Sequence, residues 1–250
     1  MSEAETEKAV LYAMADGVAT VTLNRPKARN ALNSAMCAEL HAACRSAIAD
    51  DAKLVLVRAK GPVFCAGADL KERQGMDEDQ VRARRIKAFA AYNALESLPM
   101  PAVAVVHAPV VGSGCEIAAA CDFVIATPEA SFRTPEALWC TVGATQRLPR
   151  ILGKRLAKDL MFTGRKLSAE EAERHGLVAR VVPAAELEKT LAEIAKTIVE
   201  APGASLRYAK ACIDRGVELD PRGALAVEIL AIEENLATQN WQAGIAKFGK

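Results

Sequence analysis

Two glutamates in this chain stand where a carboxyl group can do catalytic work. Glu116 ends the segment 110–116, Val-Val-Gly-Ser-Gly-Cys-Glu, which follows the apolar run at 103–106. Glu136 ends the segment 131–136, Ser-Phe-Arg-Thr-Pro-Glu, shortly after a second apolar run at 123–126. Carboxyl groups that follow two strand-like runs can converge on one pocket, where one acts as an acid and the other as a base. Each glutamate also has a plainer reading, as a helix-start carboxylate or a surface loop residue.

The segment 112–114, Gly-Ser-Gly, is called here the glycine turn. It leads from an apolar run into a short helix, whose first N–H groups suit an anion or a developing oxyanion. A dinucleotide-binding fingerprint matches only in part, because Ile117 replaces its final Gly or Ala. A Gly-x-Ser-x-Gly nucleophile elbow fails because Val111 stands where glycine is required. A tight structural turn is the simpler alternative.

The segment 65–69, Cys-Ala-Gly-Ala-Asp, is called here the alanine turn. Its small side chains allow the backbone amides of Ala66 and Ala68 to approach a ligand closely. Taken by itself, the segment is equally consistent with a structural turn.

Other reactive side chains give weaker signals. No histidine neighbours the cysteines close to these segments, so a Cys–His nucleophile would need convergence from distant parts of the chain. The basic run Arg82, Arg84, Arg85 and Lys87 is a candidate phosphate-binding patch. The acidic residues at 77–79 and the lack of interleaved aromatic residues favour a solvated helix face instead.

Composition limits the possible classes of protein. A formal net charge of +1 argues against a main role in binding nucleic acid or charged membrane surfaces. The seven cysteines are odd in number and form no Cys-x-x-Cys pair, which indicates reduced thiols and makes a zinc site improbable. The first ten residues are acidic and lack an apolar run, and no stretch is long enough to span a bilayer. These features predict a cytoplasmic protein.

The elements that must position the two glutamates follow from periodicity. Apolar runs predict strands at 18–23, 54–57, 102–106, 123–126 and 178–182, with a further extended piece around Phe132. Helical periodicity predicts helices at about 34–48, 78–98, 114–121, 145–151, 153–162 and 168–175, and only helices after residue 184. The alternation predicts an α/β core over residues 1–185, followed by a helical unit over residues 186–250.

The chain resembles the enoyl-CoA hydratase/isomerase (crotonase) superfamily, and most closely an enoyl-CoA hydratase. The matching segments occur in the family's order over nearly the whole chain. They lie at 24–32, 64–70, 112–122, 132–136, 145–148, 163–165 and 170–178. The resemblance implies a crotonase-like spiral of ββα repeats with a C-terminal helical trimerisation region. It also implies a homotrimer or a dimer of trimers.

The resemblance further implies the chemistry. The thioester oxygen of an acyl-CoA would accept hydrogen bonds from the backbone N–H groups of Ala68 and Ser113. Glu116 would help to deprotonate a water molecule for attack at C3, and Glu136 would deliver a proton to C2. Ser113 stands where many members have glycine, which a main-chain donor tolerates. The family's substrate- and coenzyme A-binding positions correspond to Lys27, Ala28, Ala66, Ala68, Asp69, Leu70, Lys71 and Phe248.

Two departures from the family pattern affect the acyl pocket. The run between Glu136 and Thr145 (residues 137–144) is shorter than the usual Pro/Gly-rich loop. Arg133 replaces a residue that is usually small, and either meets an acidic acyl group or faces solvent.

The sequence therefore predicts an enoyl-CoA hydratase that adds water reversibly and syn to trans-2-enoyl-CoA, without a metal or a redox cofactor. Alternatives on the same fold are a Δ3-Δ2-enoyl-CoA isomerase and a dehydratase or decarboxylase of a branched or carrier-bound acyl thioester. Alternatives of another class are a nucleotide- or NAD-binding protein and a catalytically silent, RNA-binding oligomer. We expect no nucleic acid or membrane partner.

Overall fold

Nine strands and eleven α-helices form the described part of the protein. The computed structural model describes residues 8–238 and 240–247. The strands are β1 (Val10–Ala15), β2 (Val18–Leu23), β3 (Leu54–Ala59), β4 (Ala102–Val106), β5 (Val110–Val111), β6 (Phe123–Ala126), β7 (Ser131–Arg133), β8 (Leu167–Ser168) and β9 (Arg180–Val181). The α-helices are α1 (Ser34–Ala49), α2 (Leu70–Arg73), α3 (Glu78–Glu96), α4 (Ser113–Ala119), α5 (Arg147–Leu152), α6 (Lys154–Thr163), α7 (Ala169–Arg174), α8 (Leu187–Glu200), α9 (Gly203–Gly216), α10 (Pro221–Ala237) and α11 (Asn240–Lys247).

The strands form two sheets. The larger has the order β1-β2-β3-β4-β6-β9, in which β1 and β2 are antiparallel and the other neighbours are parallel. The smaller has the order β5-β7-β8, with β5 parallel and β8 antiparallel to β7. Parallel neighbours require crossover connections, which α1 supplies between β2 and β3 and α3 supplies between β3 and β4.

Both faces of the central strands β3 and β4 are buried. In β3, Leu54 and Leu56 point to one face and pack in a cluster with Leu191 of α8. The alternate residues Val55 and Val57 point to the other face and join the main core, to which α1 and α3 contribute. Burial on both faces explains why β3 and β4 have nearly continuous apolar sequences.

Side-chain caps fix where three of the helices begin. The Asn33 side chain accepts from the Met36 amide at the start of α1. Asp77 and Gln80 form a reciprocal capping box at the start of α3. Ser168 accepts from the Glu171 amide at the start of α7. All three helix starts agree with the starts predicted from the sequence.

The C-terminal helices differ from one another in burial. Helix α8 packs on the large sheet, whereas α9 and α10 pack mainly on each other and have no fully buried residue. Leu225, Ile229, Leu230 and Ile232 of α10 are each about half exposed or more. The predicted division into a core over residues 1–185 and a helical unit over residues 186–250 stays a prediction. Helix α8 belongs to the predicted helical unit, yet it packs against the large sheet of the core.

The predicted α/β class with a helical C-terminal region is confirmed. The prediction omitted β1, β5, β8 and α2, and it drew the last strand too long, because only Arg180–Val181 pairs. Within residues 8–238 and 240–247, no helix has both the length and the apolar character needed to cross a lipid bilayer.

Candidate active site

The alanine turn and the glycine turn lie side by side. Cys65 and Val110 form an isolated parallel β-bridge, and the Val111 amide donates to the Cys65 carbonyl oxygen at 2.9 Å. Gly114 lies so close that an added Cβ would be 2.7 Å from the same oxygen. A glycine at this position therefore determines how closely the two turns approach.

Ala68 and Ser113 present backbone N–H groups from these two turns. Among the described residues, neither amide has a hydrogen-bond acceptor in the chain. Ser113 is the first residue of α4, where helix geometry leaves N–H groups unpaired. An added Cβ on Gly67 would lie 3.9 Å from the Ser113 nitrogen, so the alanine turn reaches the start of α4. Two such donors suit a carbonyl oxygen that gains negative charge.

Glu116 lies in the first turn of α4 and is buried, with only 7% of its surface exposed. Its Oε2 accepts a hydrogen bond from an Arg147 Nη atom at 2.9 Å. The same guanidinium donates to Glu96 and, at 3.0 Å, to Asn93 Oδ1, both on α3. Glu116 is therefore held by a guanidinium that two neighbouring helices position.

Arg147 remains a cation in this environment. Burial alone would lower the pKa of its guanidinium, but hydrogen bonds and charges from Glu96 and Glu116 outweigh burial and raise it. Its guanidinium carbon also lies 6.0 Å from the centre of the Tyr92 ring, within reach of a cation–π interaction. The charge beside Glu116 is therefore permanent at any physiological pH.

Glu136 has a different environment. It begins the 3-10 turn Glu136–Trp139, and its carboxylate lies against the glycine turn, since an added Cβ on Gly112 would be 2.8 Å from Oε1. Gly112 has a φ of +53°, a conformation that favours glycine for a second reason. Within the described part of the chain, the buried Glu136 Oε2 has no hydrogen-bond partner.

Burial raises the pKa of Glu136, and the charge of Glu116 raises it further. A backbone hydrogen bond and the charge of Arg85 oppose the rise without cancelling it. Glu136 thus holds its proton more strongly than an exposed glutamate does, whereas Glu116 is paired with a cation. Two neighbouring carboxyl groups, one in a burying environment that raises its pKa and one paired with a cation, are typical of an acid–base pair.

One cavity of about 500 Å³ is bordered by all four predicted catalytic and oxyanion-hole residues, Glu116, Glu136, Ala68 and Ser113. The remainder of its wall is mostly apolar, with side chains of α3 and of the segment 139–144. A mostly apolar cavity with a few convergent polar groups is typical of a ligand site.

The predicted coenzyme A-binding residues fall into two groups. Ala66, Ala68 and Leu70 border the cavity. Four others do not border the cavity: Lys27, Ala28, Asp69 and Lys71. Phe248 lies outside the described residues. The coenzyme A-binding role of these five residues stays a prediction.

Asp69 already has a structural role. Its carboxylate accepts hydrogen bonds from the Lys71 and Glu72 amides at the start of α2 and pairs with Arg25 at 2.9 Å. These partners hold the turn that contains the Ala68 amide. They also lower the pKa of Asp69, although burial, the largest single influence, acts in the opposite direction.

The prediction that the basic run at 82–87 forms a solvated helix face is wrong for Arg84 and Arg85. Arg84 is buried, with its Nε 2.7 Å from Glu72 Oε2, and it also donates to the Leu32 carbonyl oxygen. Arg85 reaches across the cavity mouth to the Val142 carbonyl oxygen at 2.5 Å and to Thr141. The short loop at 137–144 is therefore anchored to α3 rather than free.

The family follows from the comparison with known proteins. A model of the family described as enoyl-CoA hydratase/isomerase matches residues 13–249. The chain belongs to this family.

Relatives in this family include a short-chain-enoyl-CoA hydratase from Clostridium acetobutylicum. It is 39% identical over 237 residues, which cover 92% of this chain and 90% of the relative. A protein from Arabidopsis thaliana named probable enoyl-CoA hydratase 2, mitochondrial, is 37% identical over 239 residues, covering 94% of this chain and 79% of the relative. Since some relatives are named mitochondrial, the predicted cytoplasmic location stays a prediction.

Solved structures show the same fold. An enoyl-CoA hydratase from Mycobacterium smegmatis superposes with a TM-score of 0.92 at 32% identity, covering 97% of this chain and 96% of that one. One from Bacillus anthracis gives a TM-score of 0.90 at 35% identity, covering 96% and 95%. The crotonase-like fold predicted from the resemblance is confirmed.

Sequence reasoning missed Arg147 as a member of the site. The residue lies in the segment 145–148, which matched the family but carried no assigned role. Its guanidinium reaches Glu116 from 31 residues further along the chain, so no local spacing connects the two. An isolated arginine at the start of a predicted helix was the only available signal.

Proposed function

We propose that this enzyme hydrates trans-2-enoyl-CoA thioesters reversibly. One observation carries the proposal: two carboxyl groups in different environments and two amides that lack an acceptor among the described residues border the same cavity. The reaction needs one base, one acid and a site for negative charge on the thioester oxygen. The described residues offer a candidate for each of these parts, which supports the proposal.

The two amides act on the thioester. As water adds to C3, electron density moves onto the carbonyl oxygen and forms an enolate-like oxyanion. The N–H groups of Ala68 and Ser113 stabilise this charge, and losing one such donor costs about 3 kcal/mol in related acyl chemistry. Because the donors are main-chain groups, their positions depend on how closely the two turns pack.

The two glutamates divide the proton transfers. Glu116, paired with Arg147, accepts a proton from water while the water oxygen forms a bond to C3. Glu136, whose pKa is raised, delivers a proton to C2. The net change is addition of H and OH across the double bond on one face, and exchange with solvent then removes the proton from Glu116 and returns one to Glu136. No metal or redox cofactor takes part in this scheme, and coenzyme A is part of the substrate.

A second candidate is a Δ3-Δ2-enoyl-CoA isomerase. The observation that favours it is the Arg147 ion pair, which engages one Glu116 oxygen, while Glu136 has no side-chain partner in the described part of the chain. A single carboxyl group suffices to move a proton between C4 and C2. Hydration is the better supported function because Glu116 borders the cavity instead of being buried behind it.

A spectroscopic assay separates the two candidates. Wild-type protein should remove the enoyl-thioester absorbance of crotonyl-CoA and produce 3-hydroxybutyryl-CoA. With trans-3-hexenoyl-CoA, it should form the conjugated thioester much more slowly than it hydrates crotonyl-CoA. Rapid isomerisation together with unchanged crotonyl-CoA would reject hydration in favour of the isomerase.

The close packing of the two turns gives a further test. Alanine at Gly114 would place a Cβ 2.7 Å from a backbone oxygen, which must force the turns apart. Because misplacement of about 1 Å can cost 10²-fold, we expect kcat/KM for crotonyl-CoA to fall by about that factor. Gly216→Ala is the matched control, since its added Cβ would meet Ala224 at an ordinary 3.6 Å. Equal kcat/KM in both variants would contradict the requirement for close packing.

The proposed assembly is a homotrimer or a dimer of trimers. The exposed apolar residues of α10 support it, because isolated proteins rarely leave such a surface uncovered. Sedimentation of the purified protein tests this part of the proposal.

A further inference from the structure

The cavity wall contains more positive charge than its acids neutralise. Four arginines besides Arg29 border it: Arg73, Arg84, Arg85 and Arg133. Arg84 is neutralised by Glu72 at 2.7 Å. Within the described chain, the other three form no ion pair with a carboxylate.

Of these four arginines, Arg73 has the fewest partners. It is the last residue of α2 and is partly buried. Among the described residues, its side chain makes no hydrogen bond and no ion pair. Burial lowers the pKa of its guanidinium, and the like charges of Arg85 and Arg84 lower it further. Because like charges repel one another, an anion bound between Arg73 and Arg85 would be stabilised by both guanidiniums.

Arg85 is committed only to neutral groups. Its guanidinium donates to the Val142 carbonyl oxygen at 2.5 Å and to the Thr141 hydroxyl. Its charge also acts on Glu136, since Arg85 is one of the influences that lower the pKa of that carboxyl group. Arg85 and Glu136, the residue assigned to C2 of the acyl group, border the same cavity, whereas Lys27 and Ala28, predicted to contact coenzyme A, do not.

We propose that the enzyme acts on trans-2-enoyl thioesters whose acyl chain ends in a carboxylate, and that Arg73 and Arg85 bind this carboxylate. This inference rests on the proposed function. Leu70 and Phe89 border the same cavity as these guanidiniums, so the wall offers apolar contact to an acyl chain as well as positive charge for its end. An arginine pairs with a carboxylate through two parallel hydrogen bonds, which gives specificity as well as affinity.

Two pairs of probes test the preference. In each pair, one trans-2-enoyl-CoA ends in a carboxylate and the other in an isopropyl group of equal size: 4-carboxybut-2-enoyl-CoA with 5-methylhex-2-enoyl-CoA, and 5-carboxypent-2-enoyl-CoA with 6-methylhept-2-enoyl-CoA. The wild type should hydrate at least one carboxylate probe with a kcat/KM about tenfold or more above that of its partner. Equal values in both pairs would overturn the inference.

The Arg73→Met variant assigns the preference to a residue. It should lower kcat/KM for the preferred carboxylate probe by about 10- to 100-fold, as expected for the loss of charge-assisted hydrogen bonds. The isopropyl probe should change by less than about threefold, because it makes no such bond. Arg82→Met is the matched control: Arg82 lies on α3, pairs with Asp79 and does not border the cavity.

The same data separate the possible failures. An equal loss on both probes of a pair would mean that Arg73 binds a phosphate of coenzyme A, and would overturn the inference while leaving the hydratase assignment intact. Hydration of crotonyl-CoA without any preference for a carboxylate would have the same consequence. If crotonyl-CoA and all four probes stay unchanged, the hydratase assignment fails, and the inference fails with it.

Discussion

The Glu136→Gln variant is expected to hydrate crotonyl-CoA about 10³-fold more slowly than the wild type, within the range for loss of a positioned acid. Glutamine keeps the size of the side chain but cannot deliver a proton to C2. The loss should appear in kcat, with KM changed little, because the carboxyl group acts during the reaction rather than in binding. A variant that retains more than a tenth of wild-type kcat would contradict the role of Glu136 as the acid.

The Glu136→Gln variant should become more stable relative to the wild type as the pH rises. The pKa of Glu136 in the folded protein lies above its ordinary value of 4.5. The protonated carboxyl group therefore stabilises the folded protein below pH 4.5, and this stabilisation is lost as the pH rises through the raised pKa. Glutamine never ionises and avoids this loss. The melting temperature of the variant, minus that of the wild type, should therefore be higher at about pH 8 than at about pH 4. A difference that is constant or falls with pH would contradict the cause assigned to the pKa shift.

Arg147→Met is expected to have the second large effect. It leaves the Glu116 carboxylate buried without its cation, and breaking such a buried pair costs about 3 kcal/mol of unfolding free energy. Glu116 also loses the group that fixes its orientation, so kcat should fall by about 10²-fold. Urea unfolding and the crotonyl-CoA assay measure the two effects.

Two further variants show whether the cost arises at Glu116. Arg150→Met is the matched control, because Arg150 lies on the same helix and its ion pair with Glu218 is exposed on both sides. The double variant Arg147→Met/Glu116→Gln removes the unpaired charge and should recover part of the stability without recovering activity. A double variant as unstable as the sum of the single variants would show that Arg147 acts through Glu96 or packing instead.

The two glutamates that we propose as catalytic could be chosen from the sequence because the strands before them are clear. β4 and β6 coincide with the predicted apolar runs, and each glutamate follows one of these runs by a short segment. Small residues and glycines then indicated where the backbone makes sharp turns. These signals are local, so a single sequence was enough to choose Glu116 and Glu136.

Features that depend on packing between distant segments could not be predicted from the sequence. The sequence gives no reason for Arg147 to contact Glu116, because that contact requires α4 and α5 to pack together. In the same way, the basic run on α3 had the composition of a solvated face, and only the position of α2 and of the loop 137–144 turns Arg84 and Arg85 inward.

Strand β1 was missed although a signal for it exists. Its sequence, Val-Leu-Tyr-Ala-Met-Ala, has weak β propensity, but Asp16-Gly17 stands between it and β2. Both residues have positive φ, +49° and +78°, as a two-residue hairpin turn requires. The dipeptide Asp-Gly between two runs was the observation that predicts this hairpin.

Exchange of the C2 hydrogens of butyryl-CoA with D2O, followed by NMR, tests the division of roles between the glutamates most directly. This saturated thioester cannot be hydrated, so exchange reports only the group that transfers a proton at C2. We predict that Glu116→Gln exchanges within about tenfold of the wild type, and that Glu136→Gln exchanges about 10³-fold more slowly. Slow exchange in Glu116→Gln with normal exchange in Glu136→Gln would show that the roles are reversed.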